Sequence, residues 1–142
     1  MHHTPGGATL VATMRGRGAR AVLVSGGFTA FAQAVGAALG FDRVVANRLG
    51  IVGGRLDGTV AEPIVDAATK LHELHASGVA AEAVLAVGDG ANDIPMLAAA
   101  GLGVAYHAKP KAAAAADAHI RHGDLHALLW AQGYARADWT AP

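Results

Sequence analysis

Three short apolar runs, separated by segments with helical character, constrain the fold more than any other feature of this chain. They are residues 21–24 (AVLV), 83–87 (AVLAV) and 102–105 (LGVA). Continuous apolar runs of this length are typical of strands buried on both faces of a parallel sheet. Their alternation with helices predicts an α/β fold, a three-layer Rossmann-like parallel sheet with helices on both faces.

The rest of the chain is divided mainly by glycine and proline. Thr4 and Pro5 predict a helix start, with threonine as the N-cap and proline in the first turn. The predicted helices cover residues 5–18, 28–39, 66–76, 92–100 (capped by Asn92), 110–116 and 124–131. Short strands are predicted at 44–46 and 119–120, and a hairpin at 51–56 around the Gly53-Gly54 pair, which permits the primed turns.

The composition excludes several classes of protein. The chain has 142 residues, 53% of them apolar, with 11 basic and 11 acidic residues and no cysteine. This length predicts a single domain over residues 1–142. Balanced charge argues against nucleic-acid binding, and the lack of cysteine excludes disulfides and thiolate metal sites. Without a membrane span or a signal peptide in the sequence, we expect a cytoplasmic protein.

The first candidate loop is Ser25-Gly26-Gly27, which follows the first apolar run. Glycines let the backbone approach a ligand, and exposed amides favour an anion. In parallel sheets ligands bind at the carboxyl ends of strands, which is where this loop lies. Phosphate binding and an ordinary strand–helix turn both remain open for this loop when it is considered alone.

The second candidate loop, residues 88–97 (GDGANDIPML), follows the second apolar run. Asp89 and Asp93 lie four positions apart, at the end of a strand and the start of a helix, and Asn92 lies between them. Two carboxylates in such a place suit a hard cation such as Mg²⁺. A helix N-terminus would explain one aspartate, but it does not readily explain the whole group.

A third group of candidates lies on predicted helices. Spacing alone predicts that Lys70 is a solvated surface residue. His72 and His75 share a helix face and could form a metal pair, but without a third ligand a solvated helix is the better interpretation. The remaining histidines of interest, predicted to lie on the surface, are His119, His122 and His126. Residues 125–130 (LHALLW) predict core or subunit packing.

These motifs, in this order, resemble the haloacid dehalogenase-like (HAD) phosphatases, and within them the phosphoserine phosphatases. The resemblance rests on residues 24–29 (VSGGFT), 87–97 (VGDGANDIPML) and 99–110 (AAGLGVAYHAKP), with smaller matches at 46–49 (ANRL) and 54–56 (GRL). It extends from about Thr4 to about Ala118, and corresponds to the C-terminal part of such an enzyme without its cap. The implied activity is Mg²⁺-dependent hydrolysis of O-phosphoserine to serine and phosphate, a step of serine biosynthesis.

The resemblance implies a role for each candidate residue. Ser25 and the backbone at Gly26 and Gly27 bind the phosphate, and Asn92 lies near the phosphoryl group. Lys70 neutralises the phosphoryl group and the nucleophile. Asp89 ligates Mg²⁺, and Asp93 acts on the metal through water and hydrogen bonds. Charge neutralisation of this kind is what phosphoryl transfer mostly requires.

The sequence departs from the family pattern in one essential respect. The family's nucleophile belongs to an Asp-x-Asp-x-Thr motif on a central strand, which would precede the VSGGFT segment and is not found in these residues. The segment 55–60 (RLDGTV) imitates half of the motif, but Arg55 stands at the nucleophile position and the segment belongs to a predicted hairpin. The spacing between Lys70 and Asp89 is also shorter than in the family by roughly one helical turn, and Gly50 replaces a usual acidic residue.

Three functions follow as hypotheses. The first is a phosphoserine phosphatase module that is inactive alone because the nucleophile is absent. The second is a non-catalytic phosphate- and Mg²⁺-binding protein, whose incomplete sheet pairs with a second copy or another chain. The third, a P-type ATPase phosphorylation domain, shares the second loop but not the first, and no membrane segments are present.

Overall fold

The computed structural model describes residues 5–61 and 64–140. The chain divides into two compact units, one comprising Met1–Ile64 with Gly123–Pro142 and the other Val65–His122. We call them the first and the second unit and describe each by itself. The single domain predicted for residues 1–142 therefore stays a prediction.

Helices and strands alternate along most of the chain, as the apolar runs predict. The helices are α1 (Gly7–Gly16), α2 (Thr29–Leu39), α3 (Ala67–His75), α4 (Ile94–Ala99), α5 (Pro110–Ala115) and α6 (His126–Ala131). The strands are β1 (Val22–Phe28), β2 (Arg43–Val52), β3 (Arg55–Ala61), β4 (Leu85–Gly88), β5 (Leu102–Tyr106) and β6 (Ala118–Ile120). Short 3-10 turns cover Ala81–Ala83, Ala91–Asp93 and Arg136–Asp138.

The first unit contains a sheet of order β1-β2-β3, in which β1 and β2 are parallel. Strand β2 continues into an antiparallel hairpin with β3, and Gly53 and Gly54 both have positive φ (59° and 78°) at its turn. The hairpin prediction is thus confirmed, since a type I′ turn needs positive φ at both central positions. The two short strands predicted at 44–46 and 51–52 are one strand, because backbone pairing carries β2 through the polar Asn47 and Arg48.

The core of the first unit lies between α1, α2 and α6. Leu10 and Val11 of α1, Ala32 of α2 and Leu128 and Leu129 of α6 are all buried. The core packing predicted for the 125–130 segment is confirmed for Leu128 and Leu129, whereas Trp130 is 54% exposed. Helix α1 begins later than predicted, after Gly6 in the left-handed conformation (φ 85°). The predicted N-cap, Thr4, lies outside the described residues.

The second unit contains an entirely parallel sheet of order β4-β5-β6. Val104 and Ala105 of β5, the middle strand, are 1% and 0% exposed, which confirms the predicted buried strand. A core formed by four residues surrounds β4: Leu74, Ala86, Leu97 and Ala100. The fold is α/β with parallel strands, as predicted, but the described residues form two three-stranded sheets instead of one continuous sheet.

Candidate active site

The residues of the first candidate loop belong to a strand, whereas the sequence predicted that they form a turn after the strand. Strand β1 continues through Ser25 to Phe28, and its register with β2 shifts between those two residues. Gly26 and Gly27 form the irregularity, where extra residues bulge from the ladder. The Gly27 amide donates a hydrogen bond to Ser25 Oγ at 3.0 Å. The serine hydroxyl and the glycine backbone therefore form one small polar loop at the end of β1.

Two further side chains hold this loop in place. Asn47 is buried and its Nδ2 donates to the Gly26 carbonyl at 2.8 Å. Thr29 Oγ1 in turn donates to the Asn47 carbonyl at 2.9 Å. Asn47 was assigned no role from the sequence. An asparagine in a strand next to the loop is the sequence feature that indicates such a contact. A buried side-chain amide needs polar partners, and the loop backbone can provide them.

The second candidate loop begins where β4 ends and is organised by Asp93. Its Oδ2 accepts hydrogen bonds from the backbone amides of Asp89 at 2.9 Å and Gly90 at 3.1 Å. The predicted helix start is wrong in detail, because Asn92 lies inside a 3-10 turn and α4 begins at Ile94. Gly88 is needed here, since a Cβ at that position would overlap the Asp93 side chain.

Lys70 is buried and paired with Asp93. Its Nζ lies 2.6 Å from Asp93 Oδ1, and the two side chains are only 10% and 5% exposed. The solvated position that spacing alone predicted for Lys70 is therefore wrong. Charged side chains are rarely buried unless they are paired. The ion pair with Asp93 of the loop therefore accounts for the buried position of Lys70.

Helix α3 begins at a capping box that fixes the position of Lys70. Asp66 Oδ1 accepts a hydrogen bond from the Thr69 amide at 2.9 Å, and the Asp66 amide donates to Thr69 Oγ1. The Lys70 amide donates to the Asp66 carbonyl in the first helical turn. The Thr69 amide and hydroxyl lower the pKa of Asp66, which favours its charged form.

This lowered pKa predicts a dependence of stability on acid. The contribution of ionised Asp66 is present above its usual pKa of about 3.9 and is lost as pH falls through the lower folded-state value. We therefore expect the stability difference between the native chain and Asp66→Asn to be constant near neutral pH and to shrink below about pH 4. Urea unfolding at a series of pH values checks this. A difference that grows in acid would contradict it.

Opposing effects act on the ionisation of Asp93. Burial raises the pKa of its carboxyl. The hydrogen bonds from Lys70 and from the Asp89 and Gly90 amides lower the pKa by more than burial raises it. The net result is a pKa below the ordinary value. Asp93 is therefore a carboxylate whose two oxygens hold Lys70 and the loop backbone together.

Asp89 and Asn92 present their side chains differently from Asp93. Both are exposed, and the Asp89 carboxylate makes no hydrogen bond or ion pair with any residue that the structure describes. The Asp89 carbonyl accepts a hydrogen bond from the Lys109 amide at 3.1 Å, which anchors the backbone and leaves the carboxylate free. An exposed, unpaired carboxylate beside an anchored one is a donor set that suits a hard cation.

The histidines add no metal site in the described part of the chain. No group of three or more histidine or acidic side chains is placed to hold a metal ion among residues 5–61 and 64–140. The surface position predicted for His119 and His126 is corrected. Both ring nitrogens of His119 are buried. The Nδ1 of His126 lies 2.9 Å from Asp124 Oδ1, and the His126 ring stacks on Trp139. His122 is exposed, as predicted.

The predicted site residues fall into two sets. Ser25, Gly26 and Gly27 belong to the first unit, whereas Lys70, Asp89, Asn92 and Asp93 belong to the second. Within the second set the structure brings Lys70, Asp93 and the backbone of Asp89 into direct contact. A lysine–aspartate pair with a free carboxylate at the end of a parallel strand is an arrangement suited to holding a phosphoryl group and a cation.

The chain belongs to the haloacid dehalogenase-like hydrolases, whose family model matches residues 1–98. The resemblance seen in the sequence motifs is thereby confirmed. In the described part of the chain no helix has the length and apolar character needed to cross a membrane.

Within this family, the chain is similar to phosphoserine phosphatases. The chain is 44% identical to the phosphoserine phosphatase of Streptomyces coelicolor over 97% of its own length, and 45% identical to that of Mycobacterium tuberculosis over 96%. It spans about a third of the length of each, 35% and 34% respectively.

Solved structures agree with this grouping. A probable phosphoserine phosphatase from Vibrio cholerae, in unliganded form, superposes with a TM-score of 0.82 at 40% identity, covering 94% of this chain and 45% of that one. A phosphoserine phosphatase solved as a phospho-aspartyl intermediate analogue also gives a TM-score of 0.82, at 35% identity, over 92% of this chain and 64% of that one.

Proposed function

We propose that this chain carries the phosphate- and metal-binding part of a phosphatase that hydrolyses O-phosphoserine to serine and phosphate. The observation that carries the proposal is the contact of Lys70 with Asp93, beside the free carboxylate of Asp89. The similarity to phosphoserine phosphatases supports the choice of substrate. A role in serine biosynthesis and a cytoplasmic location belong to the same proposal.

The cofactor in this proposal is Mg²⁺. Asp89 offers an exposed carboxylate without a competing partner, and Asp93 acts from the next layer because its oxygens already hold Lys70 and two amides. Mg²⁺ in phosphoryl-transfer sites commonly takes only one or two carboxylates and keeps several waters, so this set is sufficient. When bound, the ion would neutralise charge on the phosphoryl oxygens.

Within the second unit, Lys70 and Asn92 bind and orient the phosphoryl group in this proposal. Lys70 supplies a fixed positive charge, whose position Asp93 holds without reorganisation during the reaction. Asn92, exposed at the same loop, donates a hydrogen bond from its amide. The first unit, considered by itself, offers a further pair of anion donors in Ser25 Oγ and the Gly27 amide, which are bonded to each other in the structure.

The residues of this chain lack a nucleophile of the expected kind. No two aspartates lie two positions apart anywhere in the 142 residues, so the Asp-x-Asp-x-Thr motif does not occur in them. The segment 55–60 that imitates the motif lies in strand β3 of the hairpin. We propose that these residues bind the phosphoryl group but need an aspartate from outside them for turnover.

Turnover of O-phosphoserine tests this part of the proposal. We expect phosphate release by the 142-residue chain with Mg²⁺ to equal the rate in the matched Asp89→Asn variant, because without a nucleophile neither protein forms a covalent intermediate. A colorimetric phosphate assay at high protein concentration measures both. Turnover that depends on Asp89 would show that these residues contain a nucleophile and would overturn the proposal of inactivity.

A partner-dependent binding protein is the second candidate function, and the sheet edges favour it. Among the described residues, β1 pairs only with β2, and β4 pairs only with β5. An apolar strand with a free edge accepts another strand, from a second copy or a different chain. Light scattering over a range of concentrations tests self-association, which would appear as a mass above 14.2 kDa. A constant monomer mass would exclude pairing between copies.

A further inference from the structure

A cavity lies at the carboxyl ends of β5 and β6, within the second unit. Its volume is about 790 Å³. The residues that line it are His107, Ala108, Pro110, Ala113, Ala114, His119 and Arg121. None of them is among the residues assigned to the phosphoryl site. Cavities of roughly 300–1,000 Å³ with a few polar groups on an apolar wall are typical of small-molecule sites.

The polar lining of this cavity includes one permanently charged side chain, Arg121. The Arg121 guanidinium stays positive, and none of the residues that line the cavity is acidic. Arg121 is exposed, and it makes no ion pair or hydrogen bond with any residue in the described ranges. Its guanidinium therefore keeps all of its donors available for an anion.

His119 contributes an unpaired polar group beside Arg121. Both of its ring nitrogens are buried, and neither has a hydrogen-bond partner in the described part of the chain. A buried polar group without a partner costs about 1–3 kcal/mol. Rotation of the ring towards the cavity would let a ligand oxygen accept the N–H, so ligand binding would recover part of this cost.

His107 holds the other side of the cavity in a strained conformation. It has a φ of 45° and is the one non-glycine residue with positive φ in the described ranges. Its amide donates to the Ile120 carbonyl at 2.8 Å, and its ring stacks on Tyr106 with centroids 4.2 Å apart. Such strain persists where the surrounding structure fixes it and is concentrated at ligand sites.

We propose that this cavity binds a small organic carboxylate, with its anionic group at Arg121 and His119. The apolar body of the ligand lies against Pro110, Ala113 and Ala114, which present no polar side-chain atom. The cavity is open to solvent and has room for an organic anion of several heavy atoms beside its apolar wall. The cavity shares no lining residue with the phosphoryl site, although Lys109, between Ala108 and Pro110, is hydrogen-bonded to the Asp89 carbonyl. The proposal does not depend on the function proposed for that site.

Titration of the ¹⁵N-labelled chain with benzoate, followed by amide chemical shifts, tests the proposal. We expect shifts confined to residues 105–121, and benzoate to bind at least about tenfold more tightly than benzamide, which has the same ring but no charge. Arg121→Gln should weaken benzoate binding by about tenfold or more, the effect of one charge-assisted hydrogen bond. Lys111→Gln, which removes an exposed charge outside the cavity lining, should leave binding unchanged.

Two further variants separate this site from the alternatives. His119→Phe keeps the ring but removes both unpaired nitrogens, so it should raise the unfolding temperature and weaken benzoate binding. Asn92→Asp, which adds a negative charge to the phosphoryl loop, should leave benzoate binding unchanged. If that variant bound benzoate much more weakly, the anion would lie at the phosphoryl loop, and the proposal would be overturned. Equal binding of benzoate and benzamide, or an Arg121→Gln variant with native affinity, would also overturn it.

Discussion

Replacement of Lys70 by methionine is expected to lower the free energy of unfolding of the second unit by about 3–5 kcal/mol. The change leaves the Asp93 carboxyl only 4% exposed, without the ammonium that lies 2.6 Å from its Oδ1. Removal of one partner from a buried pair is strongly destabilising, because the remaining charge has lost both water and its counter-ion. Urea unfolding followed by circular dichroism measures the change.

The matched control for this variant is Lys111→Met. Lys111 lies on α5 of the same unit, is exposed, and has no ion pair with any described residue. The same substitution there should change the stability by less than about 0.5 kcal/mol. A loss of equal size in both variants would mean that the Lys70–Asp93 contact contributes nothing particular.

A double variant distinguishes pairing from simple loss of packing. Lys70→Met with Asp93→Leu replaces the whole pair by apolar groups, which is often close to neutral for stability. We expect the double variant to be more stable than Lys70→Met alone. The Asp93 carboxylate also accepts hydrogen bonds from the Asp89 and Gly90 amides. The double variant should therefore remain less stable than the native chain.

The second large effect is expected on Mg²⁺ binding, from Asp89→Asn. The variant should bind Mg²⁺ at least about tenfold more weakly, since even substitutions beyond the direct ligands cost 10–100-fold in metal affinity. Its stability should be nearly unchanged, because the Asp89 side chain is exposed and makes no contact that the fold requires. Amide shifts of residues 88–93 during a Mg²⁺ titration measure the affinity.

Glu82→Gln is the control for the Asp89 variant. Glu82 is an exposed carboxylate in the same unit, outside the loop, so its removal tests a general effect of charge. We expect the Glu82 variant to bind Mg²⁺ with native affinity. Equal weakening in both variants would show that Mg²⁺ responds to overall charge instead of to a site at Asp89.

The strands were predictable because their signal is strong and local. Residues 102–105 form a short apolar run, and in the structure β5 is the buried middle strand of its sheet. The Gly53-Gly54 turn followed from backbone sterics alone, since few other residues adopt positive φ at two successive positions. The residue types of the second loop likewise predict a cation site there, because two carboxylates follow the end of a strand.

Features that depend on tertiary contacts were not predictable in the same way. Helical spacing could not show that Lys70 is buried, because its partner Asp93 lies 23 positions away in the sequence. The continuation of β1 through Ser25 and two glycines depends on pairing with β2 and on the Asn47 side chain. No local pattern reveals that both ring nitrogens of His119, which pairs with Ala105 in the parallel sheet, are buried.

The resemblance to a family supplied what local patterns could not. It raised Lys70 from a surface residue to a site residue, and the structure shows that lysine buried against the predicted loop. The metal-binding role of Asp89 and the phosphate-binding roles of Ser25 and Asn92 stay predictions. Their geometry is compatible with those roles, and the tests above address Asp89 directly.

Calorimetric titration of the chain with O-phosphoserine, with and without Mg²⁺, tests the central claim most directly. The account predicts binding that requires Mg²⁺, that is abolished by a chelator and by Asp89→Asn, and that L-serine does not reproduce. Binding of equal strength without Mg²⁺ or in the Asp89 variant would contradict the claim that Lys70, Asp93 and Asp89 form a metal-assisted phosphoryl site. Equal binding of L-serine would contradict recognition of the phosphoryl group.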